Sequence, residues 1–131
     1  MIEHIARPAG LVTPVGYSHV TVGTGRVVAI AGQLPVNADG VLVGADAEEQ
    51  ARQVFANLDT ALAAAGATSA HLLRFGFFVT DLADVPGIRV ARDEYLGDLP
   101  RPASSLVQVA GLVLPGARLE VDAIAVLPAA D

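Results

Sequence analysis

Three segments of the sequence have the pattern of strands that are apolar on both faces, and this pattern restricts the fold more than any other feature. They are VVAIA at 27–31, LLRFGFFV at 72–79 and VDAIAVL at 121–127. Strands of this kind are usually covered on both sides of their sheet, whereas the two helices that the sequence predicts cover only one side. An exposed apolar sheet face would form a large adhesive patch. We therefore expect a second copy of the chain to cover that face in a homo-oligomer.

The two helices are predicted from their ends and their periodicity. Asp46 followed by Glu49 is a capping-box pattern, and apolar residues then recur at helical spacing until Gly66 ends the helix. A second helix is predicted over Asp84–Leu96, with a proline in its first turn and a glycine after its last residue.

Strands are predicted before, between and after these helices. YSHVTV at 17–22 and RVVAIAG at 26–32, separated by Gly-Thr-Gly, are predicted to form a hairpin. A third strand is predicted over 71–79, and 101–127 reads as two strands joined by a short Pro-Gly turn. This order indicates an α+β fold in which a mixed sheet carries both helices on one face. We expect a single domain over residues 1–131.

The residue types that are missing exclude several kinds of chemistry. The chain has no cysteine, so it has neither disulfides nor a thiolate metal site, and it has no lysine, so it cannot form a Schiff base. Its net charge is −6 and its eight basic residues are arginines spread singly along the chain, which argues against binding to nucleic acid. No segment is apolar over the roughly 18 residues that cross a bilayer, and the N-terminus lacks a signal-peptide pattern. We therefore expect a cytoplasmic protein that does not bind membranes.

The last predicted strand contains two carboxylates. Alternation places Glu120 and Asp122 on the same face as Arg118, Ile124 and Val126. A carboxylate in a mostly buried sheet is costly unless it is paired, hydrogen-bonded or protonated, and such surroundings also suit it to acid–base chemistry. The alternative is that both carboxylates lie near a sheet edge, where they are solvated or paired with arginines such as Arg118.

Four segments resemble the RidA/YjgF family, in order and at the family's spacing. They are GQLPVN at 32–37, FVTDLADV at 78–85, RPASSLVQVAGL at 101–112 and LEVDAIAV at 119–126. The resemblance extends over nearly the whole chain. It implies a chorismate-mutase-like subunit that assembles as a homotrimer, with a cleft at each subunit interface.

The resemblance also implies an activity and the residues that perform it. The best-known family reaction is the hydrolysis of reactive enamines and imines, such as 2-aminoacrylate, to a keto acid and ammonia without a metal or organic cofactor. This is the reaction type of a 2-iminobutanoate/2-iminopropanoate deaminase. Glu120 matches the family glutamate that positions or activates the attacking water. Tyr17 matches a tyrosine at the cleft, and Gly32 matches a backbone position beside the ligand.

Four positions depart from the family pattern. Deaminating members have an arginine after Pro-Ala that binds the substrate carboxylate, and this chain has Ser104 there. Ala31 replaces a serine or threonine, Leu106 replaces a cysteine and Arg89 replaces an asparagine. Loss of one charge-assisted contact weakens substrate binding by about 1.5–3 kcal/mol, unless Arg89 or Arg101 supplies the charge from elsewhere.

Two functions of different kinds follow from this pattern. The first is a RidA-like hydrolase of imines or related small metabolites, in which Glu120 orients water and Tyr17 shapes the cleft. The second is a non-deaminating relative that binds a small metabolite or hydrolyses a different one, because Ser104 replaces the arginine. Ribonuclease activity, which is also associated with the family, fits an acidic chain poorly, and chorismate mutase activity is related through the fold alone.

The remaining polar residues form weaker patterns. His4, His19 and His71 are scattered in the sequence, and we predict no metal site. Ser104 and Ser105 lack a nucleophile motif and are interpreted as hydrogen-bonding residues at a strand edge.

Overall fold

The computed structural model describes residues 1–129, so the last two residues of the predicted domain 1–131 lie outside the described part. The described residues form six strands and two α-helices, which in chain order are β1 (Ile2–Ile5), β2 (Val20–Gly23), β3 (Arg26–Gln33), α1 (Ala47–Ala64), β4 (Leu72–Val79), α2 (Val85–Leu96), β5 (Ala103–Gln108) and β6 (Leu119–Leu127). Short 3-10 turns at Ser69–His71 and Leu82–Asp84 precede β4 and α2.

The larger sheet contains β3, β6, β4 and β5 in that spatial order. β6 runs antiparallel to both of its neighbours, whereas β4 and β5 are parallel and are connected through α2. Both helices pack on one face of this sheet and share one buried core with it. We call this side the helix face and the opposite side the outer face. The predicted α+β fold, a mixed sheet with two helices on one face, is confirmed.

Both helices begin where predicted, and α1 is capped as the sequence indicates, whereas the Asp84 side chain makes no capping hydrogen bond to α2. The Asp46 carboxylate accepts a hydrogen bond from the Glu49 amide at 2.9 Å, and the Glu49 carboxylate accepts one from the Ala45 amide at 2.8 Å. α2 has its proline in the first turn and ends before Gly97. Within residues 1–129, neither helix is long and apolar enough to cross a membrane.

The two helices are held against each other by an aromatic stack and two polar contacts. The rings of Phe55 and Tyr95 stack with their centroids 5.0 Å apart, and the Tyr95 hydroxyl donates to Asp59 at 3.0 Å. Burial raises the pKa of Tyr95 well above its usual range. On the surface, a hydrogen bond from Arg52 lowers the pKa of Glu94. The buried stack and the Tyr95–Asp59 hydrogen bond fix the position of α2, which forms one wall of a cavity, whereas the exposed pair of Arg52 and Glu94 contributes little.

The burial pattern of β6 confirms its predicted alternation. Its side chains on the helix face are all buried, and they are Leu119, Val121, Ala123, Ala125 and Leu127. Glu120 and Asp122 point to the outer face and are half-buried. On the outer face of the single chain, Val27, Val107 and Ile124 remain 70%, 48% and 37% exposed. Coverage of this face by a second copy of the chain stays a prediction.

The predicted hairpin of 17–22 with 26–32 is wrong. β2 pairs with β1, and β3 pairs with β6. The chain turns at Gly25, which has a φ of +135° and lies directly against the carbonyl of Leu127. This turn lays β3 beside the end of β6 instead of back along β2.

The segment 101–127 also differs from its prediction. β5 and β6 are not neighbours, because β4 lies between them. Residues 109–118 connect the two strands, so the link is a long loop that contains the Pro-Gly pair and not a short turn.

Gln50 of α1 holds this loop in place. It is 2% exposed, and its amide nitrogen donates to the carbonyls of Gly116 at 3.1 Å and Gly44 at 3.3 Å. Its amide oxygen accepts from the backbone N–H of Arg118 at 2.8 Å, directly before β6 begins. One buried side chain therefore joins α1, the segment before it and the entry to β6.

We predict that Gln50→Leu lowers the free energy of unfolding by about 2–3 kcal/mol, because it leaves buried backbone groups of Gly116 and Arg118 without partners. Urea unfolding of the parent and the variant measures this difference. Thr60→Ala on the exposed side of α1 serves as the control and is expected to change stability by less than about 0.5 kcal/mol. Equal stabilities of Gln50→Leu and the control would contradict the proposed anchoring role.

Candidate functional site

A cavity of about 390 Å³ lies on the helix face, between the edge strand β5, helix α2 and the loop before β2. The loop contributes Thr13, Val15 and Tyr17, and the sheet contributes Phe77, Ser104 and Leu106. Helix α2 contributes Ile88, Arg89 and Arg92. A cavity of this size suits a small organic molecule.

The register of β5 places two of the predicted site residues in this cavity. Ser104 is paired with Phe75 and Leu106 with Phe77, and both phenylalanines point into the core. Paired residues of neighbouring strands point to the same face, so Ser104 and Leu106 lie on the helix face. Ser105 points the other way, where its hydroxyl accepts from Arg74 at 3.5 Å.

Tyr17 reaches the cavity from a loop and not from the predicted strand. The backbone N–H of Ser18 donates to the Pro102 carbonyl at 3.1 Å, which ties this loop to the start of β5. The Tyr17 ring packs edge-on against His19, with the centroids 5.2 Å apart. The structure therefore brings together Tyr17, Ser104, Leu106 and Arg89, four of the residues that sequence analysis selected.

Helix α2 also contributes Arg92, which sequence analysis missed. Its side chain is only 12% exposed, and its Nε and Nη2 atoms both lie 3.0 Å from Oδ1 of Asp93. Arg89 lies three residues earlier on the same side of α2 and is exposed. The three-residue spacing of two arginines on a helix was the signal that could have identified Arg92.

Arg101 lies beside Asp93 and does not line the cavity. Its Nη2 atom is 3.5 Å from Oδ1 of Asp93, and its Nη1 atom is buried without a hydrogen-bond partner within residues 1–129. Two guanidinium groups, those of Arg92 and Arg101, thus share one carboxylate oxygen. The α2 side of the cavity consequently carries excess positive charge.

Glu120 lies on the outer face, on the other side of the sheet from the cavity. It is paired with Phe78 of β4, and its carboxylate lies over Gly32, where a β-carbon would come within 2.6 Å of Glu120 Cδ. Gly32 and Ala31 belong to a β-bulge between Ile30 and Gln33, where β3 shifts register against β6. The bulge and the missing side chain of Gly32 make the space that the carboxylate occupies.

Asp122 also lies over a glycine on the outer face, but this glycine belongs to β4, the other neighbour of β6. Its Oδ1 atom lies over Gly76 of β4, so a β-carbon at Gly76 would overlap with it. The alternative interpretation is wrong in placing these two carboxylates near a sheet edge or in pairs with Arg118, because β6 is a central strand and Arg118 pairs with Asp84 at 3.1 Å. Among residues 1–129, no arginine or histidine forms an ion pair with Glu120 or Asp122.

A single chain therefore holds the predicted site in two halves. The cavity half contains Tyr17, Ser104 and the α2 arginines on the helix face, and the carboxylate half contains Glu120 and Gly32 on the outer face. The sheet separates them. The two halves can meet only if they come from different copies of the chain.

The histidines take no part in either half. His19 Nε2 lies 2.7 Å from the Val12 carbonyl oxygen, and His71 Nδ1 accepts from the Thr68 amide in the turn before β4. His4 lies on β1. In the part of the chain that the structure describes, no three His, Cys, Asp or Glu side chains are grouped so that they could hold a metal ion.

Comparison with known proteins relates the chain to one family. Residues 9–127 match the family model described as Endoribonuclease L-PSP. Protein DfrA of Myxococcus xanthus is 37% identical over 108 residues, which cover 82% of this chain and 81% of that protein. The 2-iminobutanoate/2-iminopropanoate deaminase of Dermatophagoides farinae is 30% identical over 115 residues, which cover 87% of this chain and 88% of that protein.

A solved structure shows the same architecture. The crystal structure of the Rid-family protein YyfB from Yersinia pestis superposes with a TM-score of 0.86 and 35% sequence identity, covering 96% of this chain and 98% of that chain.

We predict that Gly32→Ala turns the Glu120 carboxylate aside without unfolding the chain, because the clashing atoms are the far end of a flexible side chain. Its free energy of unfolding should fall by less than about 1 kcal/mol. Gly25→Ala is the matched comparison and should cost about 2–3 kcal/mol, since its φ is +135° and its β-carbon would meet the Leu127 carbonyl. Urea unfolding measures both costs, and a crystal structure of Gly32→Ala locates Glu120. An unmoved Glu120 side chain would contradict the proposed role of Gly32.

Proposed function

The chain belongs to the Endoribonuclease L-PSP family, also called RidA/YjgF, and from this premise we propose that it hydrolyses small imines or enamines. One relative is named a 2-iminobutanoate/2-iminopropanoate deaminase. The observation that carries the proposal is the carboxylate of Glu120, which is held over Gly32 and has no ion-pair partner within residues 1–129. Such a carboxylate is available to accept a proton from water.

The proposed reaction needs one water molecule and starts from the protonated imine. Glu120 accepts a proton from water as the water oxygen bonds to the imine carbon, and the π electrons of the carbon–nitrogen bond move to the nitrogen, which becomes a neutral amine. Glu120 then returns this proton to the nitrogen of the carbinolamine, the carbon–nitrogen bond breaks, ammonia leaves, and the hydroxyl proton is lost to solvent. An enamine enters the same route after its terminal carbon takes a proton from solvent, which gives the protonated imine. The products are a carbonyl compound and ammonia.

The proposed site requires an assembly of chains, for which we propose a homotrimer. The outer face keeps exposed apolar side chains, among them Val27, Val107 and Ile124, and burial of such a face favours association. In this assembly, Glu120 of one copy would lie against the cavity half of its neighbour. Tyr17 would then shape the cleft beside the reacting carbon.

A second candidate function is supported by one position in the cavity. Ser104 lies where deaminating members of the family are expected to have an arginine, so the β5 wall offers the ligand a neutral hydroxyl. The second candidate is therefore a protein that binds a small metabolite, or hydrolyses a different one, in the same cleft. The cavity and the assembly are common to both candidates, and only turnover distinguishes them.

The name of the family model does not lead us to propose ribonuclease activity. The chain carries a net charge of −6, and a protein that follows an RNA backbone normally presents a track of basic residues. The arginines near α2 form one small cluster beside a cavity that fits a metabolite.

We predict that Glu120→Gln lowers turnover of 2-aminoacrylate by about 10²–10⁴-fold while the assembly remains intact, because an amide cannot accept the proton from water. The substrate is generated enzymatically in the assay, and release of keto acid and ammonia is measured. Sedimentation of the same samples reports the assembly.

Asp122→Asn is the matched control, because Asp122 is the other outward carboxylate of β6 and also lies over a glycine. It should retain most of the parent's activity. Full activity of Glu120→Gln would show that Glu120 is structural, and an inactive parent would favour the second candidate function. A parent that sediments as a monomer at micromolar concentration would contradict the proposed assembly.

A further inference from the structure

We propose that Arg92 binds the carboxylate of the ligand, so that the anion-binding group of this cleft is on helix α2 and not on strand β5. The inference rests on the proposed function, because it concerns the ligand of the same cleft. The ligand is that of the proposed function, a small 2-imino acid or the corresponding 2-oxo acid, and the new element is the residue that binds its carboxylate.

Arg92 is a largely buried cation with incomplete hydrogen bonding. Its side chain is 12% exposed, and both of its contacts go to one oxygen of Asp93. A guanidinium has five N–H donors, and within residues 1–129 the Nη1 group of Arg92 has no hydrogen-bond partner. The Nη1 group of Arg92 is not among the buried atoms without a partner, so it remains accessible, and a largely buried cation gains most from a partner of opposite charge. A ligand carboxylate in the cavity would satisfy the remaining donors.

The guanidinium of Arg92 is held in position before any ligand arrives. Asp93 fixes one side of it, and on another side it packs against the backbone of Gly16. A β-carbon at Gly16 would lie 2.5 Å from Arg92 Cζ, so the missing side chain of Gly16 makes the space that the guanidinium occupies. Gly16 immediately precedes Tyr17 of the cavity lining. A binding group that is already fixed loses little conformational freedom on binding.

The charge around Arg92 favours an anion. None of the residues that line the cavity is acidic, and two of them, Arg89 and Arg92, are cationic. Asp93 is shared with Arg101, so it does not neutralise both neighbouring arginines. Arg89 is exposed to solvent, which leaves the partly buried Arg92 as the stronger site for a charge-assisted bond.

This position distinguishes Arg92 from the residues considered on sequence alone. Arg101 is close to Asp93 but does not line the cavity, and Ser104 is neutral. The ligand carboxylate would therefore lie against α2, and Ser104 and Leu106 would face the rest of the ligand. Compared with family members that have an arginine at the position of Ser104, this chain then keeps a cationic group in the cleft but has it on α2.

The test compares a charged and an uncharged ligand of the same shape. Binding of 2-oxobutanoate and of 2-oxobutanamide is measured by calorimetry on the parent, on Arg92→Gln and on Arg52→Gln. Arg52 is the control because it is also an ion-paired arginine, but it lies on the surface between Glu48 and Glu94. We expect the parent to prefer the acid over the amide, and Arg92→Gln to weaken binding of the acid by about 10- to 100-fold. Arg52→Gln should bind like the parent.

The comparison of acid and amide on the parent needs no variant, so it tests the inference even if Arg92→Gln fails to fold. Equal binding of acid and amide by the parent, no binding of the acid at millimolar concentration, or unchanged binding by folded Arg92→Gln would each overturn the inference. A double variant, Arg92→Gln with Ser104→Arg, should recover affinity for the acid by returning a cation to the β5 wall.

Turnover of 2-aminoacrylate in the same samples separates this inference from the proposed function. If the parent binds the acid through Arg92 but releases no ammonia, the proposed function fails and the assignment of Arg92 stands. If the parent hydrolyses the substrate and Arg92→Gln does so with unchanged KM, the assignment fails and the proposed function stands.

Discussion

The position of β6 in the middle of the sheet is the constraint on which the rest of the molecule depends. Both of its neighbours pair with it antiparallel, and every side chain on its helix face is buried. Because side chains alternate along a strand, a shift of one residue would place Glu120 and Asp122 in the apolar core. Gln50 opposes such a shift, since it holds the backbone of Gly116 and Arg118 at the entry to the strand. The packing of α1 and the location of Glu120 are thus set together.

Local signals in the sequence were sufficient for the helices and for the faces of β6, and insufficient for the strand pairing. The cap at Asp46 and the alternation around Glu120 each depend on residues close in the chain. The hairpin prediction is wrong because β2 pairs with the short strand β1, and β3 pairs with the distant β6. No local pattern in the sequence indicates these partners. The same limit applies to Gln50, because two of its partners, Gly116 and Arg118, lie more than 60 residues further along the chain.

The residues of the candidate site were likewise predictable only in part. Tyr17, Ser104 and Leu106 were selected by resemblance, and the structure places them around one cavity. Arg92 was not selected, because its neighbours are Gly16 and Asp93 and the contact with Gly16 arises only from folding. Glu120 matches the family pattern, but no local pattern indicates that the sheet separates it from that cavity.

The separation of Glu120 from the cavity has a consequence for how activity depends on the amount of protein. If each site combines the cavity of one chain with the carboxylate of another, then dilution that dissociates the assembly leaves every cavity in place and removes the group that acts on water. Specific activity would fall with total protein concentration, whereas ligand affinity would change far less. A dissociated chain would then act as a reservoir that sequesters the metabolite without consuming it.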